Sequence, residues 1–306
     1  MKASRKFVSR KIMLAILWIV FAVSLCIFAK LFIIDSLVNS KINNDIQDMY
    51  HADENNCTEE DYVKKFKDLS ALNPDIIGWI NFPNVGIDYP VLQSKGPDPK
   101  FYLYKDYNKK YSRYGSIFLD SDCSHDKDTK SMIIHGHSMR DGSMFGKILK
   151  YSDLDYYKSC PVINFDTEQQ RCKWKIFSIF KTNVEKSQGP VFEYLVSDFG
   201  SIENFLEYMY QVRKRSLIET PVDVMDNDRI IILSTCSYEF KNFRTVIVAR
   251  AVREGESSDV DVSLAKYASD PYMPLCWYKS KGKTQPVLKR FREELYDGNI
   301  DWYKNN

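Results

Sequence analysis

The chain has 306 residues, and a hydrophobic content of 44% is enough for a substantial core. Its 43 lysine and arginine residues nearly balance 41 aspartate and glutamate residues, so the sequence lacks the excess of basic residues that would favour nucleic-acid binding. The seven cysteines include no CxxC pair and no close paired spacing. With only four histidines and no evident carboxylate partners for them, the sequence predicts no metal site.

The first hydrophobic segment, residues 12–29, carries no charge, and it extends to residue 34 if the Lys30 side chain reaches the membrane interface. At about 1.5 Å rise per residue it nearly crosses a hydrocarbon layer of roughly 30 Å. Basic residues and no acidic residue precede it, which predicts a cytoplasmic N-terminus and an extracytoplasmic remainder. A cleaved signal peptide is the alternative, but the run is longer than usual and no small-x-small site follows. We interpret Cys26 as an ordinary membrane-embedded thiol.

The start of the chain divides into a membrane anchor, a polar segment and a helix. Residues 1–35 form the basic start and anchor, and the polar residues 36–57 predict a stalk. Thr58 and the acidic residues after it predict a helix to about Leu72, because a hydroxyl cap and first-turn acids satisfy the free amides of a helix N-terminus. Pro74 pushes the residue before it out of the helical region, so the helix ends there.

Residues 58–253 form the predicted catalytic domain, in which short apolar or alternating runs separated by turn residues predict strands. Eight strands at this spacing are typical of a closed β-barrel, so the fold class is mainly β. A helical pattern at residues 202–215 interrupts them and is expected to overhang the end of the last strands. The predicted strands are 76–80, 85–92, 116–119, 132–134, 162–165, 174–180, 230–233 and 245–252.

Cys236 follows the apolar run of residues 230–233, where a polar turn begins at Ser237, and Arg244 opens the next predicted strand. The two residues should therefore sit at facing strand ends. A thiol is a good nucleophile as thiolate, and a guanidinium can stabilise both the thiolate and a developing oxyanion. The alternatives are a buried small hydrophobe for the cysteine and a solvated edge-strand charge for the arginine. We expect a solvated charge at Arg250, and packing roles for the extracytoplasmic cysteines other than Cys236.

An imidazole would complete this chemistry, and two candidates, His135 and His137, lie two residues apart after the strand at 132–134. Strand alternation would place both on one face of a continued strand, so spacing alone does not separate them. The choice between them depends on the pattern of the surrounding residues.

Several segments, in order and spacing, are similar to class B sortases. They are Asn73-Pro74-Asp75-Ile76-Ile77-Gly78-Trp79-Ile80, Ile87-Asp88-Tyr89-Pro90-Val91, Phe101-Tyr102-Leu103, Gly115-Ser116-Ile117-Phe118-Leu119-Asp120, Gly136-His137-Ser138-Met139, Met144-Phe145-Gly146 and Ile232-Leu233-Ser234-Thr235-Cys236, followed by Arg244. The helix inserted before the cysteine strand also resembles that class.

The resemblance implies an eight-stranded sortase β-barrel with helical additions, a cysteine transpeptidase activity and no cofactor. His137, Cys236 and Arg244 match the family's catalytic residues, and Ser234 and Thr235 are candidates for substrate binding. His135 is then a neighbour that packs or hydrogen-bonds nearby. The implied substrates are secreted proteins with a C-terminal sorting signal of NPxTx or PxTG type. The implied acceptor is an amine of a cell wall precursor, lipid II, or a pilin lysine in a pilus-building enzyme.

Two departures from the family pattern bear on peptide specificity. The residues Ser121-Asp122-Cys123 replace a stretch in which class B enzymes often carry an asparagine, and Ser237 stands where many relatives have an acid. Two other classes of function stay open. One is a membrane-tethered cysteine hydrolase or L,D-transpeptidase, although the latter has its arginine closer after the cysteine. The other is a non-catalytic barrel that binds peptides.

Residues 254–306 lie beyond the point where relatives usually end, and we call them the C-terminal extension. They contain a polar link, an aromatic run at residues 272–278 and a predicted helix at residues 286–296. The extension is either a small appendage packed on the barrel or a contact site for wall polymer or a partner.

Overall fold

The amino-terminal unit of the chain, up to Ala52, is helical. In the computed structural model, which describes residues 2–52 and 58–303, α1 spans Lys2–Ala29, a π-helical segment spans Lys30–Ile34 and α2 spans Asp35–His51. The stretch from Arg10 onward is long and apolar enough to cross a membrane. The polar segment that we predicted as a stalk is helical as far as His51. Residues 53–57, including Cys57, lie outside the described residues.

The second unit opens with helix α3, Glu59–Leu72, which confirms the predicted helix. Thr58 Oγ1 accepts from the Asp61 N–H at 3.2 Å, and the Asp61 carboxylate accepts from the Thr58 N–H at 2.9 Å. This reciprocal capping satisfies two amides at the helix start. Asn73 ends the helix in an extended conformation, as the following proline requires.

Eight strands close into a barrel in the order β1-β2-β3-β4-β8-β9-β6-β5, which confirms the predicted fold. Neighbouring strands are antiparallel except for the parallel pairs β2–β3 and β4–β8. A small second sheet pairs β7 with β10. The strands are β1 Ile76–Phe82, β2 Ile87–Leu92, β3 Ile117–Leu119, β4 Ser131–His135, β5 Val162–Thr167, β6 Lys173–Asn183, β7 Ile218–Glu219, β8 Ile230–Ser237, β9 Phe243–Ala251 and β10 Lys266–Tyr267.

Strand β8 lies between β4 and β9, and its apolar run at residues 230–233 is completely buried. A strand covered on both faces reads as a continuous run of branched apolar residues, which explains why this strand lacks alternation. Near its carboxyl end Cys236 is partly exposed, whereas the other residues of the strand are buried. The strand continues through Ser237, so the predicted turn begins one residue later than the sequence indicated.

Outside the barrel, a short helix α4 spans Leu154–Ser159, and helix α5 spans Ile202–Arg215 as predicted. The α5 helix packs against β6 and buries its apolar face. Residues 184–201, which connect β6 to α5, form what we call the covering loop. The buried residues of the α5 face include Phe205, Leu206, Tyr208 and Met209.

Arg250 contradicts our prediction of a solvated charge, because it is only 1% exposed. A closed barrel has no edge strand to offer it to solvent. Its guanidinium donates to Asp223 Oδ1 at 2.7 Å and to both carboxylate oxygens of Glu256, each at 2.7 Å. Lys175 Nζ lies 2.6 Å from the same Glu256 carboxylate. The start of the C-terminal extension is therefore held to the barrel by a buried ion network.

The rest of the extension packs on the same unit through helices α6, Leu275–Ser280, and α7, Phe291–Tyr296. The predicted helix at residues 286–296 was wrong in its first half. Its start is set by Glu293, whose carboxylate accepts the Arg290 N–H at 2.9 Å and so caps the helix there. Phe291 is buried, with its ring centroid 5.6 Å from that of Tyr303.

Candidate active site

Strand pairing aligns two of the three predicted catalytic residues, Cys236 and Arg244, and ends two residues before the third, His137. The antiparallel pair β8–β9 aligns Cys236 with Arg244, so the expected facing of these two strand ends is confirmed. The parallel pair β4–β8 aligns His135 with Ser234. Beyond this pair the Gly136 N–H donates to Ser234 O at 3.3 Å, so the segment that carries His137 runs beside the cysteine strand. We call His137, Cys236 and Arg244 the row; they lie just after β4, near the end of β8 and at the start of β9.

Cys236 differs from the other described cysteines after the membrane segment in its position at the half-exposed end of a strand. Cys123, Cys160 and Cys172 are buried, and burial raises the thiol pKa of each, to about 11 for Cys123 and Cys172. Cys276 is half-buried, and burial raises its pKa as well. A raised pKa disfavours the nucleophilic thiolate, so these four thiols suit packing.

The His137 imidazole is oriented by a backbone carbonyl. Its Nε2 lies 2.8 Å from Leu103 O. A carbonyl oxygen can only accept, so Nε2 carries the hydrogen and Nδ1 is the ring atom that can take up or release a proton. The Tyr104 ring covers the imidazole at a centroid distance of 5.4 Å. Burial lowers the pKa of His137 below its usual value of 6.5, and the hydrogen bond to Leu103 only partly offsets this.

The backbone that carries His137 is fixed against the cysteine strand. Thr235 Oγ1 donates to Gly136 O at 2.7 Å, and the Phe145 N–H donates to His137 O at 2.9 Å. At Gly136 a Cβ atom would lie 2.5 Å from Ile117 Cδ1 and 2.7 Å from the Phe145 ring. Only glycine fits this gap, so the chain passes close to the core and enters the site in one position.

Arg244 keeps most of its donors for a ligand. Its Nη1 donates to Phe243 O at 3.0 Å and to Asn242 O at 3.2 Å. Within residues 10–52 and 58–303, no carboxylate lies within 4 Å of its charged nitrogens. A half-buried guanidinium with no carboxylate partner can hydrogen-bond a carbonyl or an oxyanion.

The two candidate substrate-binding residues lie on opposite faces of β8. Ser234 is on the same face as Cys236, and its hydroxyl lies 2.8 Å from the Tyr194 hydroxyl. The Thr235 side chain points to the other face of the strand, where its hydroxyl donates to Gly136 O. His135 lies outside the row, because its Nε2 is 2.9 Å from Asp120 Oδ2, and this hydrogen bond lowers the pKa of Asp120.

Sequence reasoning missed three contributors to this site: Leu103, Tyr104 and Tyr194. Leu103 belongs to the motif Phe101-Tyr102-Leu103 that carried part of the resemblance, so a signal was present, but nothing in it indicates that a carbonyl would hold the histidine. Tyr194 lies in the irregular covering loop, which has no periodicity. Its contact with Ser234 depends on the tertiary fold.

Known proteins are similar to this chain in sequence and in fold. A family model described as a sortase domain matches residues 80–253. Sortase B of Listeria monocytogenes is 33% identical over 217 residues, covering 70% of this chain and 85% of that protein. A Staphylococcus aureus sortase B–substrate complex superimposes with a TM-score of 0.63 at 25% identity, and sortase B of B. anthracis with 0.63 at 30%, each over 72% of this chain and 99% of the other. The chain therefore belongs to the sortase family, within its class B, and is a cysteine transpeptidase.

Proposed function

We propose that this transpeptidase is held in the membrane by residues 12–34 and acts on secreted proteins that carry a C-terminal sorting signal of NPxTx or PxTG type. It joins the threonine carbonyl of the signal to an amine of a cell wall precursor, lipid II. The observation that carries this proposal is a group of three side chains, in which Cys236 is aligned with Arg244 and His137 lies on a segment that is hydrogen-bonded to the cysteine strand. This group supplies the proton-transfer group, the nucleophile and the oxyanion donor that amide exchange needs.

In the first half-reaction the Cys236 thiolate attacks the carbonyl carbon after the threonine, and a C–S bond forms. The carbonyl oxygen takes the negative charge, which the Arg244 guanidinium stabilises through its available donors. The intermediate collapses as the C–N bond breaks, and protonated His137 gives its Nδ1 proton to the departing amine. The products are a thioester and the released C-terminal fragment.

The second half-reaction runs in the opposite direction with a new amine. Neutral His137 accepts a proton at Nδ1 from the incoming amine, which attacks the thioester carbonyl. Arg244 again stabilises the oxyanion, and the C–S bond breaks to release the Cys236 thiolate. The result is a new amide, and the histidine and cysteine return to their starting protonation states.

The first unit supports a placement in the cell membrane. The apolar stretch of α1 from Arg10 onward supports a single membrane span, and the basic residues before residue 12 support a cytoplasmic N-terminus. Residues 36–57 then serve as the stalk and residues 58–253 as the catalytic domain outside the cytoplasm. The likeness to a sortase B solved as a substrate complex supports a substrate site on this face of the barrel.

The test uses the full-length chain in detergent micelles with quenched NPxTx and PxTG peptides, each with and without an amine acceptor. We expect cleavage that Cys236→Ala abolishes and an amine-linked product detected by mass spectrometry. Cys276→Ala is the matched control and should retain activity. Cleavage without transfer would contradict the proposed acceptor chemistry, and cleavage by Cys236→Ala would contradict the nucleophile. Because the mechanism requires the Cys236 thiolate together with the protonated His137 imidazole, we expect a bell-shaped pH profile of the rate, and a flat profile between about pH 6 and 10 would contradict the assignment.

A further inference from the structure

The C-terminal extension contacts the covering loop, residues 184–201, and that loop contacts the cysteine strand. We propose that the extension is a positioning element for the active site, in which Tyr272 and Leu275 hold the covering loop against β8. The kinetic consequences of this inference rest on the proposed function, because they require turnover of a sorting peptide. The extension lies outside residues 80–253, the part of the chain that matches the sortase domain.

The first contact is between Leu275 and Gly189. Gly189 has φ of +120°, and a Cβ atom placed on it would lie 2.7 Å from Leu275 Cβ. The backbone of the covering loop therefore lies directly against the first residue of α6. A positive φ and this close approach both favour glycine, so the loop is shaped to receive the extension.

The second contact passes through Arg215, the last residue of α5. Its guanidinium contacts two rings, with Cζ 4.0 Å from the Phe192 centroid in the covering loop and 5.0 Å from the Tyr272 centroid in the extension. Arg215 Nη1 also donates to Gln211 O at 2.9 Å, which fixes the side chain along its own helix. Burial lowers the pKa of Arg215 to about 10, so it stays charged at neutral pH and can bind both rings through cation–π contacts.

These two contacts hold the loop at separate points with space between them. A cavity of about 180 Å³ lies between the covering loop and the extension, lined by residues of both, including Pro190 and Pro274. Thr182 also lines this cavity, and it is the β6 partner of Arg244 in the β6–β9 register. The cavity therefore adjoins the β6 segment that pairs with Arg244, and it gives the covering loop room to move when the contacts of the extension are weakened.

The covering loop in turn contacts the cysteine strand and the turn that follows it. The Tyr194 hydroxyl lies 2.8 Å from Ser234 Oγ, two residues before Cys236. Gln188 Nε2 donates to Lys241 O at 2.8 Å, in the turn between Cys236 and Arg244. A continuous series of contacts therefore leads from the extension through the loop to both strand ends that carry the reacting groups.

These contacts predict that the extension affects peptide binding more than it affects the chemical step. If the extension sets the position of the covering loop, weakening that contact should loosen the wall beside Ser234 and reduce the affinity for the peptide. Cys236 and Arg244 are held by strand pairing, and His137 is held by its bond to Leu103 O and by the bond from Phe145 N–H to His137 O, so none of the three depends on the covering loop. Peptide KM should therefore change more than kcat.

The experiment compares Tyr272→Ala, Tyr272→Phe and Tyr296→Ala in the full-length chain in detergent micelles. We expect Tyr272→Ala to raise the peptide KM about three- to tenfold, in line with the loss of one partly buried cation–π contact, and to change kcat less than twofold. Tyr272→Phe retains the ring and should behave as the unsubstituted protein. Tyr296 belongs to the same extension but is 92% exposed, so Tyr296→Ala should have no effect on KM.

Hydrogen exchange supplies a readout that needs no turnover. Tyr272→Ala should increase amide exchange in residues 184–201 about tenfold or more, while β8 and β9 stay protected. If no tested peptide is cleaved by any variant, this exchange measurement still decides the proposal, and the failure belongs to the proposed substrate. Unchanged loop exchange, or an increase spread equally over the barrel, would overturn it. A fall in kcat at unchanged KM would also overturn it.

Discussion

Two arginines on the same face of β9, six residues apart, have opposite surroundings. Arg250 is buried and its donors are taken by Asp223, Glu256 and the Ala251 carbonyl. Arg244 is half-buried at the start of the strand and donates to two neighbouring carbonyls. At one end of β9 the donors of Arg250 are used in an ion network, whereas at the other end Arg244 has donors available to a ligand.

The difference shows that position along a strand decides what an arginine can do. A buried guanidinium is tolerated only when each donor is satisfied, because an unpaired buried charge costs several kcal/mol. At the start of the strand, where Arg244 is half-buried, the remaining donors can be satisfied by solvent or by a ligand. Arg250 should therefore contribute to folding and Arg244 to catalysis, and substitutions at the two sites should have separable effects.

The largest expected effect is on activity at Arg244. Removing one oxyanion donor typically costs about 10²–10³ in rate, so Arg244→Ala should lower kcat/KM by that factor in the peptide-transfer assay. Arg244→Lys should recover little of it, because an ammonium does not reproduce the guanidinium fork. The melting temperature should change little, since few contacts are lost. If Arg244→Ala keeps most of its activity, or loses stability in proportion to activity, the catalytic assignment is wrong.

The second effect is on stability at Arg250. Arg250→Met removes the guanidinium that Asp223 and Glu256 share and leaves them to Arg253 and Lys175. Breaking a buried ion pair costs up to about 3–5 kcal/mol of unfolding free energy. Urea unfolding followed by tryptophan fluorescence measures it. The matched control is Lys266→Met, which breaks an exposed ion pair with Glu219 and should cost under about 1 kcal/mol. Equal losses in the two variants would contradict the distinction between the network and the surface.

The same network predicts the sign of an acid effect. Burial raises the pKa of Glu256, but hydrogen bonds from Arg250 and Lys175 outweigh it and hold that pKa far below its usual value. The folded carboxylate therefore contributes stability above the unfolded pKa of about 4.3, and this is lost as the pH falls toward the folded pKa. In Arg250→Met the pKa of Glu256 should rise, so acid unfolding should begin at a higher pH. A midpoint that does not move would show that Glu256 is not the titrating group.

The sequence predicted the facing of Cys236 and Arg244 because both strands and their connection are local. The position of the His137 segment beside the cysteine strand depends on the pairing of β4 with β8. These strands lie about a hundred residues apart in the chain, so only the resemblance indicated this position. Arg250 was misjudged for a similar reason. Its partner Asp223 lies in an irregular segment 27 residues away, and no period in the sequence points to a carboxylate there. Local patterns predict elements, whereas ion networks depend on tertiary placement.

A smaller effect is expected from two threonines that face each other on β8 and β9. Thr235 donates to Gly136 O, whereas Thr245, its cross-strand partner, has a buried hydroxyl with no hydrogen-bond partner in the described part of the chain. Thr235→Val should cost about 1–3 kcal/mol, because it leaves a buried carbonyl unpaired, and should lower activity by loosening His137. Thr245→Val should be neutral or stabilising. Equal unfolding midpoints for the two variants would show that the Thr235 hydrogen bond does not hold the histidine segment.

The smallest expected effect is a shift in the pKa of His137. The Tyr104 ring shields His137, and burial lowers the pKa of that imidazole. Tyr104→Ala should admit water and raise the pKa of His137 toward 6.5, so the limb of the pH–rate profile that reports the histidine should move to higher pH by up to about one unit. Tyr104→Phe keeps the ring and should leave both limbs in place. Movement of a limb to lower pH would mean that the ring acts through its hydroxyl or its position and not by excluding water. The test therefore shows whether exclusion of water by the Tyr104 ring is a cause of the lowered pKa of His137, and it does so at a residue whose loss leaves the strand pairing of the barrel intact.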